Sequence, residues 1–280
     1  QTVPFVRSSL LSWISQLVQK YDFDGLRIDT VPEVSPKFWT EFAQKAGVYT
    51  VGEAYTGEMD LVAMFQGPLD AVLSYPLYFT LRSVFGRQQS MYQLQDQRAA
   101  YKQSFSDLSV LGTFLDNHDN PRFLNSQKDY TLYKNALIYT LFSEGIPIIY
   151  YGTEQGFSGG GDPACREDLW HTKFDTQAEL YQFLKQVIPF RKQLKIWEEK
   201  QIQRYADDNF YAFSRGSLFV ALTQVGSYGK PVSRTITYHP YKEGTVLQGF
   251  FDPTYLLTVQ KGKFQVTLEN GLPEMFTPKN

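Results

Sequence analysis

Cysteine is nearly absent from this 280-residue chain, where Cys165 stands alone. A single thiol closes no internal disulfide and builds no cysteine-based zinc site, so the fold has neither device available. Histidine is almost as scarce, with His118, His171 and His239 the full set. No carboxylates fall at EF-hand spacing either, so no metal site can be assembled from these residues. An excess of charge of one sign is also missing. A formal net charge of −2 leaves no basic footprint for nucleic acid or for an anionic membrane, and a neutral ligand is the easier fit. No apolar run approaches the roughly 20 residues that cross a bilayer, and QTVPFVRSS at the start has no signal-peptide character.

What the chain does have is apolar content, 42% hydrophobic and 16% aromatic. That is enough to bury one large domain and a small one. Val6, Leu10, Trp13, Leu17 and Val18 recur at helical spacing, after which YDFDG opens a strand closing at Asp29. SPKFWTEFAQKAG predicts a helix with Ser35 as its cap and Pro36 at its first position, followed by a short strand from Val48 to Glu53. LDAVLSYP reads as a strand, MYQLQDQRAAYKQSF as a helix, LGTFLDNHD as a strand, DYTLYKNALIYTLFSEG as a helix and IPIIYYGTEQ as a strand. Strands alternating with helices are the rhythm of parallel βαβ units, as in a (β/α) barrel. After the helix AELYQFLKQVIPFRKQLK the period changes to that of strands in NFYAFSR, SLFVALTQV, SRTITYHP and KFQVTLEN. The expected division is therefore a partial barrel over 1–195 and an antiparallel β-sandwich domain over 196–280.

The chemistry gathers where the strands end. The first run ends in Arg27 and Asp29, the second in Glu53, and FLDNHD in His118 and Asp119. In a parallel barrel such ends converge on one face. Three carboxylates and an imidazole sharing a pocket suit glycoside cleavage through an oxocarbenium-like transition state. Taken singly, each has a plainer explanation: a helix cap for Asp29, a solvated loop residue for Glu53, a capping turn for the His118 and Asp119 segment, and a structural ion pair for Arg27.

GLRIDT, VGEA and FLDNHDNPR, in this order and at this spacing, resemble three sequence regions of the α-amylase family of glycoside hydrolases, most of all its fungal secreted members. GIPIIYYGTEQGFSGGGDPACRE is similar to the segment that follows in that family. The resemblance implies a (β/α)8 TIM barrel, of which this chain holds roughly strands 4–8, followed by a small antiparallel β domain. It implies Asp29 as the catalytic nucleophile, held ionised and oriented by Arg27, and Glu53 as the general acid/base. Asp119 becomes the third carboxylate, binding sugar hydroxyls with His118 beside it, and Asp162 and Arg166 grip a more distant glucose. Tyr55, Tyr75 and Tyr151 are conceivable stacking faces for sugars, but among 19 tyrosines none is singled out.

By the same resemblance the activity is retaining hydrolysis of α-1,4-glucosidic bonds in starch-type glucans, in a secreted protein that carries calcium on ligands mostly outside this chain. The family places its first three strands and a calcium-carrying insertion before the position of Gln1, so a complementary N-terminal segment or chain is the expected partner, and without it the chain is expected to be inactive and poorly soluble. Two departures stand out: Pro32 and Glu33 occupy positions where many members have lysine and histidine, which puts specificity on the leaving-group side in question. Competing readings are a non-catalytic carbohydrate-binding or assembly relative, and an α-glucosidase or glucan transferase. Three carboxylates held together against their repulsion favour an enzyme over a scaffold.

Overall fold

Proline opens and glycine or a left-handed residue closes the first helices, which is how the chain returns so quickly from helix to strand. In the computed structural model, which describes residues 1–279, α1 (Pro4–Tyr21) starts on Pro4 and stops at Asp22, φ 54°. Strand β1 (Gly25–Ile28) leads through Thr30, φ 51°, into a 3-10 turn over Val31–Glu33. Helix α2 (Pro36–Ala46) has proline in its first turn as expected, ends at Gly47, and gives way to β2 (Tyr49–Gly52). There follow α3 (Met59–Ala63), β3 (Ala71–Val72), α4 (Tyr75–Leu81), α5 (Tyr92–Ser104) and β4 (Gly112–Phe114). Then come α6 (Phe123–Ser126), α7 (Tyr130–Phe142), β5 (Ile146–Ile148) and α8 (Glu179–Gln193). Among the described residues no helix is long and apolar enough to cross a membrane.

The chain divides into two compact units, one made of Gln1–Phe79 with Arg98–Thr113, the other of Thr80–Gln97 with the chain from Phe114 onward. The first unit is built on parallel strands in the order β1-β2-β3, with Gly25 opposite Tyr49, Ile28 opposite Gly52 and Val51 opposite Ala71. A parallel bridge between Leu73 and Gly112 carries the ladder to β4. Helix α2 buries Phe38, Trp39, Phe42 and Ala46, and the Trp39 indole donates to the Val31 carbonyl at 2.9 Å. That bond ties the helix to the loop that follows β1.

The second unit holds eight antiparallel strands. β6 (Gln201–Ala206), β7 (Phe210–Arg215), β8 (Leu218–Thr223), β10 (Val246–Gly249), β11 (Leu256–Thr258) and β13 (Glu274–Pro278) form one sheet in the order β11-β10-β13-β8-β7-β6. β9 (Val232–Ile236) and β12 (Phe264–Leu268) form a two-stranded one. Phe210, Phe219 and Phe276 of the larger sheet share a core with Ile236, Phe264 and Val266 of the smaller.

Several sequence expectations needed correction. Ser35 precedes α2, but its side chain makes no capping bond. LDAVLSYP is strand only over Ala71–Val72, because the Ser74 N–H turns to the Gly112 carbonyl and Tyr75 already begins α4. LGTFLDNHD is extended only to Phe114, leaving His118 and Asp119 in a loop, and IPIIYYGTEQ leaves the sheet after Ile148 for a 3-10 turn at Thr153–Gln155. Of the apolar residues that mark α1, Val18 is buried whereas Val6 and Trp13 are exposed.

Gly52 shows how tightly the first unit is fitted around the strand ends. A Cβ there would lie 2.6 Å from Leu69 Cδ1 and 2.9 Å from Val31 Cγ1, both side chains fully enclosed and unable to swing away. Gly52→Ala is expected to lower stability by about 1–3 kcal/mol, the usual cost of overpacking, read as an earlier urea midpoint at unchanged slope. An unchanged midpoint would mean that this packing is looser than the distances indicate.

Candidate active site

In the first unit the parallel ladder runs on past β1 and β2. The Glu53 N–H donates to the Ile28 carbonyl at 2.8 Å, and the Glu53 carbonyl accepts from the Val31 N–H at 2.9 Å. These two bonds hold the ends of both strands side by side, with Asp29 on one and Glu53 on the other. Arg27 and Asp29, two residues apart, project on the same side of the strand. One guanidinium nitrogen, Nη1, pairs with Asp29 Oδ1, and the other, Nη2, lies 3.1 Å from Glu53 Oε1. A planar fork is suited to such double duty.

The two carboxylates sit in contrasting surroundings. The Asp29 side chain is 71% exposed and that of Glu53 only 8%. The hydrogen bond from Arg27, then one shared with Glu53, hold the Asp29 carboxyl below the usual carboxylate range. Burial first, then the hydrogen bond with Asp29, push the Glu53 carboxyl up, against the opposing pull of Tyr75 and Arg27. The two neighbouring carboxyls are thus pushed in opposite directions, a pattern seen where one acid must stay ionised beside another that donates a proton.

The second unit brings together the other four predicted residues. His118 Nε2 lies 3.2 Å from Asp119 Oδ2, and Arg166 reaches Asp119 Oδ1 with Nη2 at 3.6 Å and Asp162 Oδ1 with Nε at 2.8 Å. The His118 carbonyl accepts from Arg166 Nε at 3.0 Å and from the Cys165 thiol at 3.1 Å. Asn117 Oδ1 accepts from the Asp119 N–H at 3.2 Å and from Asn120 Nδ2 at 2.9 Å, closing the loop on itself.

Sequence reasoning offered Tyr75 only as a conceivable stacking face for sugars, a role its complete burial excludes, and passed over the other residues that hold these groups in place. Tyr75 donates its phenol to Glu53 Oε1 at 3.0 Å. Asp116 accepts from the Phe123 N–H at 2.6 Å and the Tyr133 hydroxyl at 2.5 Å, and burial raises its carboxyl pKa even so. Arg122 is completely buried; its Nε donates to the Cys165 carbonyl at 2.9 Å, its Nη1 to the Tyr151 carbonyl at 2.7 Å, and its guanidinium lies 4.0 Å from the Tyr150 ring centre. The arginine that closes FLDNHDNPR was the available signal, since a guanidinium is costly to bury without bonds such as these. Pro32 falls in the first turn of the 3-10 segment after Thr30, where its fixed φ and missing N–H cost nothing.

Calcium was expected from the family resemblance. Among the described residues no group of three or more histidine, cysteine, aspartate and glutamate side chains is placed to hold a metal ion.

Comparison with known proteins places these features in a family. The model of the alpha-amylase catalytic domain matches residues 2–175. Alpha-amylase 1 of Lipomyces kononenkoae is 46% identical over 180 residues, which is 64% of this chain and 29% of that protein. Alpha-amylase 1 of Schwanniomyces occidentalis is 32% identical over 280 aligned residues, covering 96% of this chain and 54% of that protein. The solved structure of an alpha-amylase from Malbranchea cinnamomea superposes with a TM-score of 0.94 at 34% identity, over 99% of this chain and 60% of that one. The chain thus spans between about a third and three-fifths of these relatives' length; with its parallel strands part of a (β/α) barrel and its antiparallel strands beyond, it belongs to the alpha-amylase catalytic-domain family.

Proposed function

We propose that the enzyme to which this chain contributes is an alpha-amylase, a retaining glycoside hydrolase acting on the α-1,4 bonds of starch-type glucans. The observation that carries this reading is the pair of neighbouring carboxyls bridged by Arg27, one exposed with its pKa lowered, the other buried with its pKa raised. The Asp29 carboxylate attacks the anomeric carbon while Glu53 gives its proton to the departing glycosidic oxygen. Glu53 then takes a proton from water, whose oxygen attacks the same carbon and frees Asp29. Inverting enzymes need carboxyls about 6.5–9.5 Å apart to seat a water between them, and retaining ones about 5–5.5 Å. Arg27 bonds Asp29 and Glu53 through separate nitrogens of one guanidinium, a closeness that favours retention over inversion.

His118, Asp119, Asp162 and Arg166 take the binding of glucose hydroxyls in this proposal, with Asp119 supporting the distorted ring. Calcium, with ligands mostly outside this chain, and an extracellular location both rest on family membership, and no step above passes through the ion. The N-terminal complement is proposed as well. It is supported by the partial coverage of the relatives and, within each unit, by the exposed Phe5 and Trp13 of α1 and the exposed Ile146 and Ile148 of β5. A domain boundary near Ile196 is proposed on the change from helix α8 to the strands that begin at Gln201.

Two substitutions in the complete enzyme test the assignment. Asp29→Asn removes the nucleophile's charge at nearly constant shape and is expected to abolish starch hydrolysis while leaving oligosaccharide binding largely intact. Near-normal turnover would sink the nucleophile assignment. Glu53→Gln is expected to lose about 10²–10⁴-fold on substrates with poor leaving groups, and much less on activated aryl glycosides. Equal losses on both would show that Glu53 is not the acid. In the parent enzyme, activity should fall on the acid side as Asp29 gains a proton, at a pH below the usual carboxylate range. It should fall on the basic side as Glu53 loses its proton, at a pH above that range.

A further inference from the structure

Glu53 has two carboxyl oxygens, and the environment treats them unequally. Oε1 receives Tyr75 Oη at 3.0 Å and Arg27 Nη2 at 3.1 Å. Two donors aimed at one oxygen mark it as the acceptor, because the hydroxyl oxygen of a protonated carboxyl is the poorer acceptor of the pair and must itself spend a proton. Within the first unit the charged and titratable groups that face Glu53 are Arg27 and Asp29 from the β1 side and Tyr75 from α4.

Tyr75 is unusually well fixed for a residue with one polar atom. It is completely buried and begins α4 immediately before Pro76. Its N–H donates to the Leu73 carbonyl at 2.9 Å, and the Ser74 N–H to Gly112 at 2.8 Å, so the turn that aims the ring is bonded to the parallel ladder itself. Tyr55 packs on the ring at 4.6 Å between centres, Tyr78 at 5.9 Å and Phe79 at 6.1 Å. The phenol has little freedom to point elsewhere.

We propose that Tyr75 is a positioning residue for the acid: its phenol, with Arg27, fixes Oε1 of Glu53 as the acceptor oxygen and so leaves Oε2 to carry the transferable proton. This deepens the reading of Glu53 as the general acid and rests on it. Without the phenol the proton has two oxygens to choose between, and only one can face the glycosidic oxygen in a given substrate pose. The phenol also stabilises the ionised carboxylate, opposing the burial that raises the Glu53 pKa.

The test is a site-resolved titration of the Glu53 carboxyl by carbon-13 NMR in the complete enzyme, assigned with Glu53→Gln, alongside kcat and KM on an unactivated oligosaccharide and on an activated aryl glycoside. Tyr75→Phe removes one oxygen and keeps the packed ring. It is expected to move the Glu53 midpoint upward and the basic limb with it. It should also cut kcat about tenfold on the unactivated substrate, the worth of one hydrogen bond to a charged group, with KM and the activated substrate little affected. Fluorotyrosine at position 75, a stronger donor of the same shape, should move the midpoint the other way and supplies the test if Tyr75→Phe folds poorly. An unmoved midpoint in a folded protein, or the same direction of shift in both variants, overturns the proposal while leaving the Glu53 assignment standing. A moved midpoint with both substrates hydrolysed at parental rates would show that the phenol tunes Glu53 without positioning its proton, and likewise overturns the proposal while leaving the Glu53 assignment standing.

Discussion

One guanidinium shared between two carboxylates of unequal burial is the interaction on which the candidate site depends. Arg27 reaches both Asp29 and Glu53, yet the two acids respond in opposite directions. Asp29 stands in solvent, where losing a proton costs little and a bonded cation decides the outcome. Glu53 is enclosed, and desolvation outweighs the same cation. Lysine would serve one of them as a point charge but could not bond both through separate nitrogens of a plane. The contrast in exposure pushes two similar acids apart in pKa, and Arg27 bonds both; on the proposed function that separates a nucleophile from an acid.

The backbone supplies that nearness. β1 and β2 are parallel and in a register that places Ile28 opposite Gly52, and the Glu53 N–H and carbonyl lengthen the ladder by two more bonds. Thr30 takes a left-handed conformation directly after Asp29, a conformation that non-glycine residues adopt at some cost. The Val31 carbonyl is held by the Trp39 indole, which fixes the loop from the helix side. Gly52 lets Leu69 and Val31 close over the strand end. Strain and close packing thus collect around the two acids, where a small displacement would alter their separation.

Much of this was legible in the sequence, because parallel strands deliver chemistry at their ends and the residues there are easily noticed against an apolar run. Arg27, Asp29 and Glu53 stood out as charges closing such runs, and the structure places all three in one cluster of the first unit. His118, Asp119, Asp162 and Arg166 stood out through motif resemblance and form the second. Less visible was anything that depends on a single atom of a common residue type. Tyr75 lies in LDAVLSYP, which reads as one strand but turns into a helix at that tyrosine, and nothing in the sequence separates its phenol from those of the other tyrosines. β6 escaped notice because QIQRYA is largely polar and half-buried, and edge pairing rather than burial makes it a strand. The Ser35 cap failed for a related reason: the residue type permits the bond, but the side-chain direction decides it.

The central claim is that burial and Arg27 drive the pKa values of two adjacent carboxyls apart, as the proposed nucleophile and acid require. Its most direct test is to follow the Asp29 and Glu53 carboxyls together, residue by residue, through a pH titration of the parent enzyme by carbon-13 NMR. The account predicts that Asp29 titrates below the usual carboxylate range and Glu53 above it, leaving an interval of pH in which one is charged and the other is not. Two carboxyls that titrate together at ordinary values, or in the reverse order, would contradict it.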